Sequence, residues 1–170
     1  MSEKFTAGDA FPAIAWPLCG GGQLTFAAEH GWRMLVVYRG KHCGLCREYL
    51  DELNAMLDRF AKQEVRVAAV SADPRERAEA QVREQGWRFP VAYDLSVEDM
   101  RTLGLYISPA AQGATGRPFA EPAIFVVNPD GRTQVVNVSN APYARPPLEG
   151  MLEGLETTRK GRAPIHGTEA

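Results

Sequence analysis

The feature that most constrains this chain is a strand-like run that gives way to Cys43-Gly44-Leu45-Cys46 and then directly to a helical pattern. Arg33-Met34-Leu35-Val36-Val37-Tyr38 is a nearly continuous apolar run, the pattern of a strand buried on both faces. Arg39-Gly40-Lys41-His42 joins it to the first cysteine. Beyond the pair, Leu45, Tyr49, Leu53, Met56, Leu57 and Phe60 recur at spacings of three and four. That stripe predicts one helix running to about Lys62, with Arg47, Glu48, Asp51, Glu52 and Asp58 on its solvent side.

The remaining elements follow from local signals. Val65 to Val70 is a second buried strand. Asp73-Pro74-Arg75-Glu76 has the form of a helix start, with Asp as cap, Pro at the first position and Glu three residues after the cap. Gly86 is placed to end that helix in a left-handed cap. Phe89 to Tyr93 suits a short extended segment, and Ser96 with Asp99 opens a short helix that stops at Gly104. Ser108 to Glu121 reads as a loop. Ala123 to Val127 is a third buried strand, and the turn Asn128-Pro129-Asp130-Gly131 returns the chain antiparallel over Thr133 to Val138. A last helix starts near Pro146-Pro147 and buries Leu148, Met151, Leu152 and Leu155. Strands alternating with helices imply a parallel sheet, and the hairpin adds an antiparallel pair. The fold class expected is an α/β sandwich with helices on both faces of a central mixed sheet.

No repeat or long linker divides the chain, so residues 1–170 are expected to form a single domain. Nineteen basic against 21 acidic residues leave a net charge of -2, which provides no electrostatic footprint for nucleic acid. The apolar runs are of strand length and too short to cross a membrane. Met1-Ser2-Glu3-Lys4-Phe5 lacks the basic region and apolar run of a signal peptide, so the cytoplasm is the expected location. Three cysteines, two of them close together, do not form a secreted disulfide framework. In a reducing compartment a close pair points to redox chemistry or metal binding.

The position of the pair favours redox chemistry. A helix N-terminus carries unpaired N–H groups and partial positive charge, so a thiolate there is stabilised and its pKa falls. The i, i+3 spacing brings both sulfurs to one side, where they can close and reopen a disulfide with little backbone movement. Cys43 should cap the helix and be the more exposed, with Cys46 one turn inside. Cys43 is therefore the favoured nucleophile and Cys46 the resolving thiol. Zinc would need further ligands, for which only His42 and Cys19 offer themselves; no metal and no cofactor is expected.

The chain resembles the redoxins, the alkyl hydroperoxide reductase/thiol-specific antioxidant (AhpC/TSA) branch of the thioredoxin superfamily. The resemblance rests on Gly8-Asp9-Ala10-Phe11-Pro12, Val37-Tyr38-Arg39-Gly40, Ser71-Ala72-Asp73-Pro74, Leu103-Gly104-Leu105 and Phe125-Val126-Val127-Asn128-Pro129-Asp130-Gly131, in that order around the Cys-x-x-Cys. It implies a thioredoxin-like fold of the glutathione-peroxidase/peroxiredoxin type. It also implies a disulfide or hydroperoxide substrate, a thioredoxin- or glutathione-like thiol donor, and homodimer formation as an option. Two departures from the peroxiredoxin pattern stand out. Peroxiredoxins carry Thr-x-x-Cys at this turn; counted from Tyr38, Cys46 falls on their nucleophile and Cys43 on the threonine. They also carry an Arg just before the strand corresponding to Ala123–Val127, where this chain has Pro122, which resembles the cis-proline of thioredoxins.

Thiol–disulfide exchange by Cys43 and Cys46 is thus the first reading, a thiol peroxidase the second, and a non-catalytic binding module the third. Supporting residues carry alternatives. His42 either tunes Cys43 and shuttles its proton or is a plain loop residue. Arg117 either replaces the missing peroxide-binding Arg or is solvated, and Arg145 either lines the site or starts the last helix. Tyr38 should pack beside the cysteines, Cys19 should be a small buried hydrophobe rather than a distant resolving thiol, and Trp16, Trp32 and Trp87 should be core or rim.

Overall fold

The structure is a computed structural model that describes residues 4–169; Met1 to Glu3, read above for a leader sequence, and Ala170 lie outside the described residues. Strands β1 (Trp16–Pro17) and β2 (Gln23–Leu24) form a small hairpin before β3 (Trp32–Val37). Helices α1 (Gly44–Ala55) and α2 (Leu57–Lys62) lead to β4 (Val65–Val70), and α3 (Arg75–Gln85) leads to β5 (Val91–Ala92). Then come α4 (Val97–Thr102), β6 (Ile107–Ser108), β7 (Phe119–Ala120), β8 (Ala123–Val127), β9 (Thr133–Val138) and α5 (Leu148–Gly161). The central sheet has the order β5-β4-β3-β8-β9. Its first three strands run parallel, while β8 lies antiparallel to β3 and β9 antiparallel to β8. The mixed sheet expected from the sequence is therefore present.

Alternation along β3 divides the core in two. Leu35 and Val37 face a layer of Phe11, Trp16, Phe26 and Phe125, with Met100 and Leu103 from the α4 region. Met34 and Val36 face the opposite layer, built from Leu50 and Leu53 of α1, Phe60 of α2, and Leu148, Leu152 and Leu155 of α5. Helices thus cover both faces of the sheet, and each fully buried Leu, Val or Phe contributes about 1.5–3 kcal/mol. The one charge inside the β3 run, Arg33, is 2% exposed. Its guanidinium donates to the carbonyls of Phe26 (2.8 Å), Gly31 (2.9 Å), Ala27 (3.1 Å) and Asn128 (3.3 Å), which makes burial of the charge tolerable.

Several local expectations hold. Gly86 closes α3 in the left-handed region (φ 67°), and the Ser96 hydroxyl accepts from the Asp99 N–H at 3.0 Å. The β8–β9 turn is closed by Gly131 N–H to Asn128 O at 3.0 Å. Others need correction. The helix predicted through Lys62 is broken at Met56 into α1 and α2. Leu45 is 46% exposed, and the buried line runs through Cys46, Leu50 and Leu53 instead. Cys46 occupies the core position of the first turn, which shifts the stripe by one residue there. Asp73 does not cap α3; Pro74 holds the cap position without a side-chain bond, and the Asp73 carboxylate accepts from Lys41 N–H at 2.7 Å. The Ser108–Glu121 loop contains β7, which pairs with β6 through Ile107–Ala120 and Ser108–Phe119. Strands of two residues carry no periodic signature. Among the described residues, no helix is long and apolar enough to cross a membrane.

Candidate active site

The dithiol forms where β3 hands over to α1. Gly40 bends the chain with φ 130° and passes so close to Asp73 that a Cβ there would lie 2.7 Å from its carboxylate oxygen. Only glycine fits this turn without strain. Asp73 fixes the following Lys41 N–H, and Cys43 N–H donates to Gly40 O at 3.1 Å. Cys43 then takes the N-cap position of α1 in an extended conformation (φ -96°, ψ 106°). Its sulfur accepts from the Cys46 N–H at 3.2 Å, replacing one of the missing partners of the first turn. The cysteines are free thiols.

Electrostatics separates the two sulfurs. The Cys46 thiol hydrogen-bonds the Cys43 sulfur and lowers its pKa to about 5, with further help from the Arg39 guanidinium and the Cys46 N–H against the cost of burial. Cys46 is pushed up, first by that same bond and then by burial, with Arg145 opposing. The pair therefore holds a thiolate on Cys43 and a proton on Cys46. Cys43 is 4% exposed and Cys46 0%, so Cys43 is the more accessible of two enclosed groups.

Arginines flank both sulfurs. Arg145 Nη2 donates to Cys46 Sγ at 3.1 Å. Its guanidinium lies over the Tyr49 ring (4.8 Å), and the Tyr49 hydroxyl donates to Pro146 O at 2.7 Å. Nε and Nη2 also donate to Pro142 O at 2.9 and 2.7 Å, while Nη1 is buried without a partner. On the other side, Arg39 pairs with Glu121 (Nε–Oε2 3.0 Å) and lies over the Phe119 ring (5.1 Å). The sequence supplied Arg145 only as one of two alternatives and assigned Arg39 no specific contact; no pattern signal joins Arg145 to a cysteine 99 positions away.

The other sequence candidates are distributed as follows. His42 packs against Phe119 (4.8 Å) with both ring nitrogens buried and unpartnered. Burial and then Arg39 hold its pKa below the usual histidine range, so it is neutral at pH 7. Tyr38 is fully buried in the same layer as the cysteines and meets Trp87 edge-on at 6.2 Å; its hydroxyl lies near Ser71 without a regular hydrogen bond. Pro122 is buried one step beyond the Val37–Ala123 pair, at the dithiol end of the sheet. No described peptide bond is cis, so the thioredoxin-like cis-proline is not formed; the Pro122 carbonyl continues the ladder by accepting from Ser139 N–H at 2.9 Å. Arg117 donates to Asp94 (2.8 Å) and to the Ala72 carbonyl (3.1 Å), and neither bond reaches a cysteine. Cys19 is half-buried, and burial raises its thiol to about 11, which suits an unreactive group. Trp16 and Trp87 are core residues tied to Asp99 (3.0 Å) and Asp51 (2.7 Å), and Trp32 is half-buried. Among the described residues no cluster of three or more His, Cys, Asp or Glu forms a metal site. A cavity of about 810 Å³ lined by Arg33, Val65 and Pro90 lies where β3 and β4 begin, at the end of the sheet opposite the dithiol.

Comparison with known proteins agrees with this architecture. The structure superposes on peroxiredoxin 6 of Arenicola marina with a TM-score of 0.78 and 21% identity, covering 98% of this chain and 79% of that one. A peroxiredoxin-like protein from Aquifex aeolicus matches with a TM-score of 0.75 and 15% identity over 91% and 88% of the two chains. The peroxidoxin BcpB of Mycobacterium tuberculosis matches with a TM-score of 0.72 and 15% identity over 93% and 98%. These likenesses establish a thioredoxin-like fold of the peroxiredoxin type. No curated protein matches the chain. Residues 7–136, which include both cysteines of the pair, match the AhpC/TSA family, and the chain therefore belongs to the AhpC/TSA family of thiol-dependent oxidoreductases.

Proposed function

We propose that the chain is a thiol peroxidase that reduces small hydroperoxides with the Cys43–Cys46 dithiol. The observation that carries this reading is the enclosure of the pair, with Cys43 4% and Cys46 0% exposed. A hydroperoxide of a few atoms can enter such a site, whereas a disulfide on a folded polypeptide would have to displace the surrounding chain. Enclosure reverses the order of preference drawn from the Cys-x-x-Cys alone.

In this cycle the Cys43 thiolate attacks the terminal oxygen of ROOH. An S–O bond forms, the O–O bond breaks, and RO⁻ leaves and takes up a proton to give the alcohol, or water when R is hydrogen. The Cys46 sulfur then attacks the Cys43 sulfenic acid, closing the disulfide; the departing hydroxide and the Cys46 proton form water. Arg145 beside Cys46 favours the anionic sulfur that this second step needs. Two thiol equivalents from a thioredoxin- or glutathione-like donor reopen the disulfide, so each peroxide reduced oxidises two donor thiols to one disulfide. A reducing compartment such as the cytoplasm suits a cycle that starts from free thiols.

Stopped-flow mixing of the reduced protein with hydrogen peroxide, an organic hydroperoxide and a protein disulfide tests the reading. Rapid loss of two thiols to micromolar peroxide, with the protein disulfide slow, is the expected result. Inertness to both peroxides together with rapid reduction of the protein disulfide would restore the exchange reading.

A further inference from the structure

We propose that Glu121 is a positioning residue whose carboxylate, anchored by Ser108, holds the Arg39 guanidinium at the Cys43 sulfur. The inference rests on Cys43 being the reacting sulfur. Glu121 is 5% exposed, and a carboxylate that deep needs partners. It has one on each oxygen: Ser108 Oγ donates to Oε1 at 2.6 Å, and Arg39 Nε stands 3.0 Å from Oε2. The backbone is fixed as well, because Glu121 N–H donates to Tyr106 O at 2.8 Å.

The β6–β7 hairpin is what builds this bracket. β6 ends at Ser108, β7 begins at Phe119, and Glu121 follows β7 directly. Phe119 presents its ring to the Arg39 guanidinium at 5.1 Å and to the His42 ring at 4.8 Å. A long Arg side chain has many rotamers open to it. Stacking from one side and ion pairing from another remove that freedom before any substrate arrives, so the positive charge that favours the Cys43 thiolate is already in place.

The sign of one shift separates positioning from simple charge balance. Deleting a carboxylate near a thiolate lowers the thiol pKa by Coulomb's law alone. Deleting the anchor of the guanidinium raises it. Alkylation of the reduced, full-length protein by iodoacetamide is followed against pH, with Cys43 labelling resolved by peptide mass spectrometry. Glu121→Ala is expected to move the Cys43 midpoint up by about one unit, a roughly tenfold slower labelling below both midpoints. Arg39→Gln should move it at least as far, and the double variant no further than Arg39→Gln. Should Glu121→Ala fail to fold, Ser108→Ala removes the 2.6 Å anchor and should shift the midpoint in the same direction by less. An unchanged or lowered midpoint overturns the positioning role. No peroxide enters the measurement, so this inference can fail while the peroxidase reading stands. An ordinary thiol midpoint in the unmodified protein overturns both, whereas a low midpoint indifferent to Glu121 and Ser108 overturns only this one.

Discussion

Arginines stand at both ends of β3, one buried and two half-buried, and they are treated differently. At the start of the strand, Arg33 donates to four backbone carbonyls. Beyond its end, Arg145 spends one nitrogen on the Cys46 sulfur and leaves Nη1 buried without a partner, while Arg39 meets Glu121 as an ion pair without hydrogen-bond alignment. Every guanidinium nitrogen of Arg33, a cation that only supports the fold, has a backbone carbonyl as partner. A cation kept for chemistry is left with capacity to spare, and the surrounding chain bears the cost.

Arg33→Met should break the first half of this contrast with the largest effect. Its removal leaves the carbonyls of Phe26, Ala27, Gly31 and Asn128 short of a donor, an expected loss of about 3 kcal/mol in denaturant unfolding. The Cys43 alkylation midpoint should stay where it is; a shift would mean that the two ends are coupled. Arg145→Gln addresses the second half. Stability should fall by only about 1 kcal/mol, from the lost stacking on Tyr49 and the bonds to Pro142. Closure of the disulfide after a peroxide pulse should slow by about tenfold, because Cys46 loses the cation that opposes its raised pKa. A stability loss as large as that of Arg33→Met with closure unchanged would make the two arginines equivalent.

A further effect is a pH dependence of stability. Cys43 has a folded pKa of about 5 against an ordinary value of 9.0. The folded state thus binds this proton less tightly than the unfolded chain. The resulting stabilisation is complete above pH 9, shrinks as pH falls, and is gone below pH 5. Cys46 is shifted in the opposite direction and acts only above its ordinary value of 9.0. The stability difference between the reduced protein and Cys43→Ser should therefore narrow steadily from pH 9 down to pH 5. A flat difference across that window would place the thiolate elsewhere.

The same contrast explains what could be read in advance. β3, β4, β8 and the β8–β9 turn were legible because buried strands and turn chemistry are local patterns, and so was the cysteine pair at the strand-to-helix junction. The break at Met56 was not, because the apolar stripe continues through it. Neither were β6 and β7, whose pairing joins two-residue segments across a Gly- and Ala-rich stretch. Asp73 looked like a helix cap, yet tertiary packing turns its carboxylate onto the Lys41 N–H instead. Arg117 and Arg145 were indistinguishable as sequence candidates. Only the folded chain brings Arg145 onto Cys46 and ties Arg117 to Asp94.

Everything proposed for the mechanism depends on which sulfur is oxidised first. The direct measurement treats the reduced protein with less than one equivalent of hydrogen peroxide in the presence of a sulfenic-acid trap, using Cys46→Ser to prevent closure and Cys43→Ser as its counterpart. Trapped sulfenic acid on Cys43 in the first variant, with the second unreactive, is the expected result. Sulfenic acid formed on Cys46 in Cys43→Ser at a rate matching the unmodified protein would contradict it.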